Sequence, residues 1–173
     1  MTARRLGRLA LVAAVSFGGT SAAEDGPHEH ETVITAPAPL HGSRVPRDRV
    51  AANVQTVTAD ALAESQALDL SHYLEERSGS VSVNNVQGNP LQPDLEYRGF
   101  VSSPLLGTPQ GLSVYLDGVR LNEPFVDTVN WDVIPTGAIR SVNLMPGSNP
   151  LFGPNTLGGA LSIETKTGFS DPG

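Results

Sequence analysis

The chain has 173 residues, a length suited to one domain, and carries 18 acidic against 11 basic side chains with no cysteine. A formal charge of −7 argues against a protein built to hold nucleic acid, which would carry a basic face. The lack of cysteine removes disulfides, thiolate metal sites and cysteine nucleophiles, and 18 Gly with 14 Pro predict that much of the chain lies in turns and loops.

Arg4, Arg5 and Arg8 precede a short apolar run, Leu9 to Val15, and Ser21-Ala22-Ala23 offers the small residues that a signal peptidase reads. This order predicts a secretory signal over residues 1–23. The apolar run is shorter than the roughly 20 residues a membrane span needs. Loss of three Arg takes the basic groups from 11 to 8 against 18 acidic ones, a net of −10 for the processed chain. Residues 24–52 hold Pro27, Pro37, Pro39 and Pro46 and read as a flexible segment. Within it Glu31-Thr32-Val33-Ile34-Thr35-Ala36 is rich in β-branched residues and favours an extended conformation. With no strand partner nearby, it is expected to pair with another chain.

From Asn53 the pattern tightens. Val54 to Val57 alternates as a strand, Thr58 can cap a helix over 59–64, and 69–78 reads as a second helix with Leu70, Tyr73 and Leu74 on one face. Gly79 stands where a left-handed cap belongs. Strands are predicted at 80–83, 95–98 and 112–116, with Asp117-Gly118 as a hairpin turn before 119–121. Further strands are predicted at 139–145 and 160–165, around a turn-rich stretch at 146–155. Three long loops separate these elements, at 84–93, 102–111 and 122–131. The sum is an α+β fold: a small mixed sheet of five or six short strands, two short N-terminal helices and long loops. An eight-stranded membrane barrel would just fit the length, but two internal helices, strands of mostly four or five residues and too few aromatics for two girdles argue against it.

No enzyme motif survives inspection. His28-Glu29-His30-Glu31 reads as a solvated tail, since a metal site needs fixed geometry and further ligands. Asp117, Glu123, Asp127 and Asp132 lack the oxygen spacing of a calcium loop. Ser102, Ser103 and Ser141 have no glycine elbow, and Gly153-Pro154 and Gly158-Gly159 lack the lysine of a phosphate loop. The expectation is a non-catalytic module with no cofactor and no metal.

The order of segments resembles the plug domain of TonB-dependent outer-membrane receptors and transporters. Glu31 to Ala36 looks like the TonB box. Val54-Gln55-Thr56-Val57-Thr58, Leu70-Ser71-His72-Tyr73-Leu74, Tyr97-Arg98-Gly99-Phe100 and Val114-Tyr115-Leu116-Asp117-Gly118-Val119-Arg120-Leu121-Asn122 follow the family's order. So do Ile139-Arg140-Ser141-Val142 and the stretch from Leu151 to Lys166. Met145-Pro146-Gly147 departs from the family's usual Arg-Gly-Pro, so the basic contact at that point is not carried over.

The resemblance implies a division into a signal (1–23), a flexible periplasmic segment with the TonB box (24–52), the plug (53–166) and the start of a linker (167–173). In the family a barrel of about 22 strands follows in the same chain; here seven residues follow Lys166. The expectation is therefore a fragment or truncated product of an outer-membrane transporter. The alternative is a stand-alone soluble periplasmic protein that binds a ligand or TonB. Glu31, Thr32, Val33, Ile34, Thr35 and Ala36 would add as a strand to the TonB C-terminal domain. The long loops would form the floor of a small-molecule site, with Asn85, Gln87, Gln92, Ser103, Gln110, Asn122, Glu123 and Trp131 as candidate contacts. The residues do not name the substrate: ferric siderophores, cobalamin, haem, metal chelates and sugars are all open. Arg98, Arg120 and Arg140 would face the barrel wall or pair with acids.

If the signal is cut after Ala23, N-terminal sequencing of exported protein will begin at Glu24; an intact N-terminus refutes the assignment.

Overall fold

The computed structural model describes residues 35–37, 44–46 and 51–169, all within the compact unit Val33–Gly173. The expected signal lies outside the described residues. Two short strands, β1 (Thr35–Pro37) and β2 (Arg44–Pro46), pair antiparallel with Ala36 opposite Val45. The extended piece predicted to lack a local partner therefore has one for its last two residues. Pro37 and Pro46 carry no N–H, so only Ala36 and Val45 can exchange bonds in both directions.

The larger sheet has five strands in the order β3 (Gln55–Thr58), β9 (Ile139–Pro146), β10 (Gly159–Thr165), β7 (Leu112–Leu116) and β8 (Val119–Arg120). β7 and β10 run parallel; the other neighbours are antiparallel. A second sheet holds β4 (Val81–Asn84), β5 (Asp94–Tyr97) and β6 (Phe100–Ser102). Two helices, α1 (Ala59–Ser65) and α2 (Leu70–Arg77), stand between β3 and β4. Among the described residues no helix is long and apolar enough to cross a membrane.

Local chemistry explains these boundaries. Thr58 caps α1 by accepting from the Ala61 N–H at 3.3 Å. Asp69 caps α2, accepting from the His72 N–H at 2.9 Å and the Ser71 hydroxyl at 2.5 Å. Burial works against ionisation of Asp69, but the Ser71 and His72 bonds outweigh it and hold the carboxyl below its ordinary range. The cap expected at Gly79 is absent. The helix ends on an extended Ser78, and Ser80 takes the left-handed conformation instead. The strand β6 was not predicted, because Arg98 and Gly99 form a turn with positive φ rather than a strand end.

Alternation along the larger sheet gives it two buried faces. Val114, Val142, Leu144, Leu161 and Ile163 join Leu62, Leu70, Tyr73 and Leu74 from the helices and Leu95 and Tyr97 from the smaller sheet. On the other face Tyr115, Met145 and Ala160 pack with Val54 and Phe152. This second face also buries Ser113, Asn143 and Ser162, with Asn143 accepting from the Thr56 hydroxyl at 2.9 Å. Gly159 opens β10 at φ +145, and a side chain there would strike the carbonyl oxygen of Met145.

Leu161 is fully buried on the central strand, so Leu161→Ala should cost about 2–5 kcal/mol in a denaturant titration. Gly159→Ala should cost about 1–3 kcal/mol through strain. A change near zero at either position would mean that β10 is not central.

Candidate functional site

The register places Leu112, Gly159 and Pro146 side by side, so β7 and β10 begin where β9 ends. After β8 the chain still runs beside β7, with the Leu121 N–H on the Val114 carbonyl at 2.8 Å. The segments 103–111, 121–130 and 147–158 therefore all leave the same end of the larger sheet. At the opposite end the turn is tight: Asp117 and Gly118 both have positive φ. The Asp117 carboxylate accepts from the Thr165 N–H at 2.8 Å and the Thr165 hydroxyl at 2.7 Å, fastening the hairpin to the end of β10.

Each loop is tied at its foot. β8 has two residues, and Asn122 extends its pairing with a side chain. Its amide oxygen accepts from the Val114 N–H at 2.8 Å, and its NH2 donates to the Leu112 carbonyl at 3.0 Å. Arg120 is the clasp. Its guanidinium donates to Asp127 at 2.8 Å, to the Pro154 carbonyl at 2.8 Å and to the Ser113 hydroxyl at 3.3 Å. Asp127 also accepts from the Asn155 NH2 at 2.9 Å, so the two members of one ion pair each bond the loop 147–158, Arg120 at Pro154 and Asp127 at Asn155. Asp127 and Asn155 both sit in the left-handed region, which Asp and Asn tolerate best after Gly. Thr156 meets the Ser113 hydroxyl at 2.6 Å, and Tyr115 donates to the Phe152 carbonyl at 2.5 Å. Burial raises the Tyr115 hydroxyl above its ordinary range, with Arg120 pulling the other way.

The third loop is closed by Gln110. Its amide accepts from the Ser103 N–H at 2.8 Å and donates to the Ser103 carbonyl at 3.2 Å. The Ser103 hydroxyl bonds Asp94, at the foot of the loop between β4 and β5, and the Ser103 carbonyl receives the Val129 N–H at 3.0 Å. All four loops are thus held by feet that bond to one another or to the sheets.

These feet decide where the sequence candidates lie. Ser103, Asn122 and Trp131 are buried, and Gln110 and Gln92 are half-buried. Ser103, Gln110 and Asn122 spend their polar groups on the chain itself, and Trp131 packs in the main core. Asn85, Gln87 and Glu123 are exposed, with Glu123 accepting from Asn130 at 3.3 Å. Of the box residues, Thr35 and Ala36 lie in β1; Glu31, Thr32, Val33 and Ile34 lie outside the described residues, as do His28 and His30. Arg98 stacks over the Tyr97 ring at 5.2 Å and Arg140 is exposed. Arg120 pairs with an acid, one of the two fates expected of it, but sequence reasoning missed which acid and the part played by the loop 147–158. The only signal for the clasp was a charge pair seven residues apart, which no periodicity marks. Among the described residues no group of side chains could hold a metal ion.

The architecture is thus an open mixed sheet with two early helices, a small second sheet and long tethered loops. A model of the TonB-dependent receptor plug domain matches residues 46–160, and the chain belongs to that family. Solved structures share the fold. The ferric yersiniabactin uptake receptor FyuA from Yersinia pestis is 23% identical, with TM-score 0.50 over 67% of this chain and 17% of its own. The P. aeruginosa FpvA bound to heterologous pyoverdines is 12% identical, with TM-score 0.56 over 72% and 15%. The Serratia marcescens hemophore receptor HasR, in complex with HasA and heme, is 15% identical, with TM-score 0.50 over 67% and 17%. The chain spans under a fifth of the length of each. No curated protein sequence matches it.

Arg120→Ala removes the donor that joins two loops. Amide exchange at Glu123 and Asp127 should quicken by about one to two orders of magnitude, the equivalent of losing a charged hydrogen bond. The β7 amides should stay protected. Unchanged loop exchange would show that the clasp holds nothing.

Proposed function

We propose that this chain is the plug and TonB-docking region of an outer-membrane active transporter. In this reading it is exported by the signal over 1–23 and sits within a barrel in cis. It gates passage and is not itself a catalyst. The loops 84–93, 102–111 and 122–131, joined by 147–158, form the floor on which a small-molecule substrate rests. The segment Glu31 to Ala36 adds as a strand to the C-terminal domain of TonB in the periplasm, and force on it opens the path. The observation that carries the reading is the plug-family match over residues 46–160. The common origin of three tethered loops at one sheet end supports it, since a rigid scaffold with loops on one side is how recognition surfaces are built.

The exposed candidates Asn85, Gln87 and Glu123 are the polar contacts this reading now favours, and the buried Ser103, Asn122 and Trp131 act by holding the loops that present them. The box is tested separately. In the receptor that carries this plug, Ile34→Pro or Val33→Pro should abolish TonB-driven uptake while substrate binding stays near its original level. Proline deletes a strand hydrogen bond and restricts the backbone far from the plug core. Uptake that survives both changes would mean that the box lies elsewhere.

A further inference from the structure

The four loops share a composition that bears on what they can bind. Residues 85–93, 103–111, 121–130 and 147–158 contain no Lys, Arg or His at all. Their only charged residues are Glu123 and Asp127, both acidic, and Asp127 is already engaged by Arg120 and Asn155. Arg120, which precedes the loop 121–130, turns its Nη2 to three acceptors of the protein and is paired with Asp127. No cation in these loops is available to meet a ligand anion.

The same loops carry exposed apolar side chains. Val86, Leu91, Leu106, Phe125, Val126 and Leu157 are six of the eleven large apolar side chains exposed among the described residues. Phe125 is 100% exposed, although its loop is tightly formed: the Glu123 N–H meets the Thr128 carbonyl at 2.9 Å and the Asp127 N–H meets the Glu123 carbonyl at 2.8 Å. A rigid loop that holds an aromatic ring fully in water has forgone burying it, and the ring is placed for contact with something else. The uncharged amides of Asn85 and Gln87 stand exposed on the neighbouring loop and can donate or accept.

We infer that these loops take a small molecule without net negative charge, which turns an apolar face and uncharged hydrogen-bonding groups toward them. A polycarboxylate or phosphate-rich ligand would lose its hydration here with no cation in return, beside the carboxylate of Glu123. An uncharged ligand gains apolar contact at loops whose order is already fixed. The inference rests on the reading of the loops as the substrate surface.

The test uses the full chain, labelled with 15N, and two gallium(III) chelates of similar size: a neutral tris-hydroxamate and the anionic citrate. The neutral chelate should shift the amides of Gln87, Leu106, Phe125 and Leu157 at a concentration on the order of tenfold lower than the citrate. Phe125→Ala should raise that concentration severalfold while the β7 and β10 resonances stay in place. If the citrate shifts these amides at an equal or lower concentration, the ligand class is wrong and the loop surface stands. If neither chelate moves any loop amide, the loops are not a substrate surface, and both readings fall together.

Discussion

The larger sheet is organised by the parallel pairing of β7 with β10, and the position of nearly every other element follows from it. Two parallel neighbours must start at the same end, so the chain between them has to return across the sheet before β10 can begin. That return supplies β8, the loop 121–130, the turns around Trp131, and β9, which then pairs with β10 from the far side. Gly159 lies against the Met145 carbonyl, where no side chain fits. The same geometry collects three loops at one end and leaves the Asp117 hairpin, anchored to Thr165, at the other.

The loops combine tethered feet with exposed side chains. Asn122, Gln110 and Ser103 use amides and a hydroxyl to replace missing strand bonds, and Arg120 joins the last two loops through a charge pair largely shielded from water. Such bonds are stronger away from solvent, and their loss would leave buried groups without partners. The order they impose reaches outward to Phe125, which gains no burial from the fold that positions it.

Much of this plan was readable in the residues. The strand at 112–116 was legible, and it alternates as a strand must, with Val114 and Leu116 turned to one core and Tyr115 to the other. Asp117-Gly118 announced its turn, and Thr58 its cap, because both signals act within four residues. The failures come from polar side chains with long-range roles. Polarity marks Asn122 and Ser103 as loop residues, but whether an amide faces water or spans its own backbone depends on strands that are paired only in three dimensions. Trp131, at the end of a predicted loop, is drawn into the core by its size. β6 was hidden because three residues are too few for alternation to show, and Ser80 took the left-handed position beside Gly79 with no local mark.

The order of strands in space also sets the order in which the fold can be completed. β10, at the centre of the sheet, is the last strand of the described chain, and β3 must wait for a partner as distant as Asn143, 87 positions from Thr56. A chain still being synthesised can form α1, α2 and the small three-stranded sheet, whose contacts are local. It cannot close the larger sheet until Thr165 exists. Pairings between such distant segments form slowly, since a long loop must close before any contact rewards it. The central strand is thus also the last part of the larger sheet to become available, and β9 and β7 stay without the neighbour that joins them until it has been made.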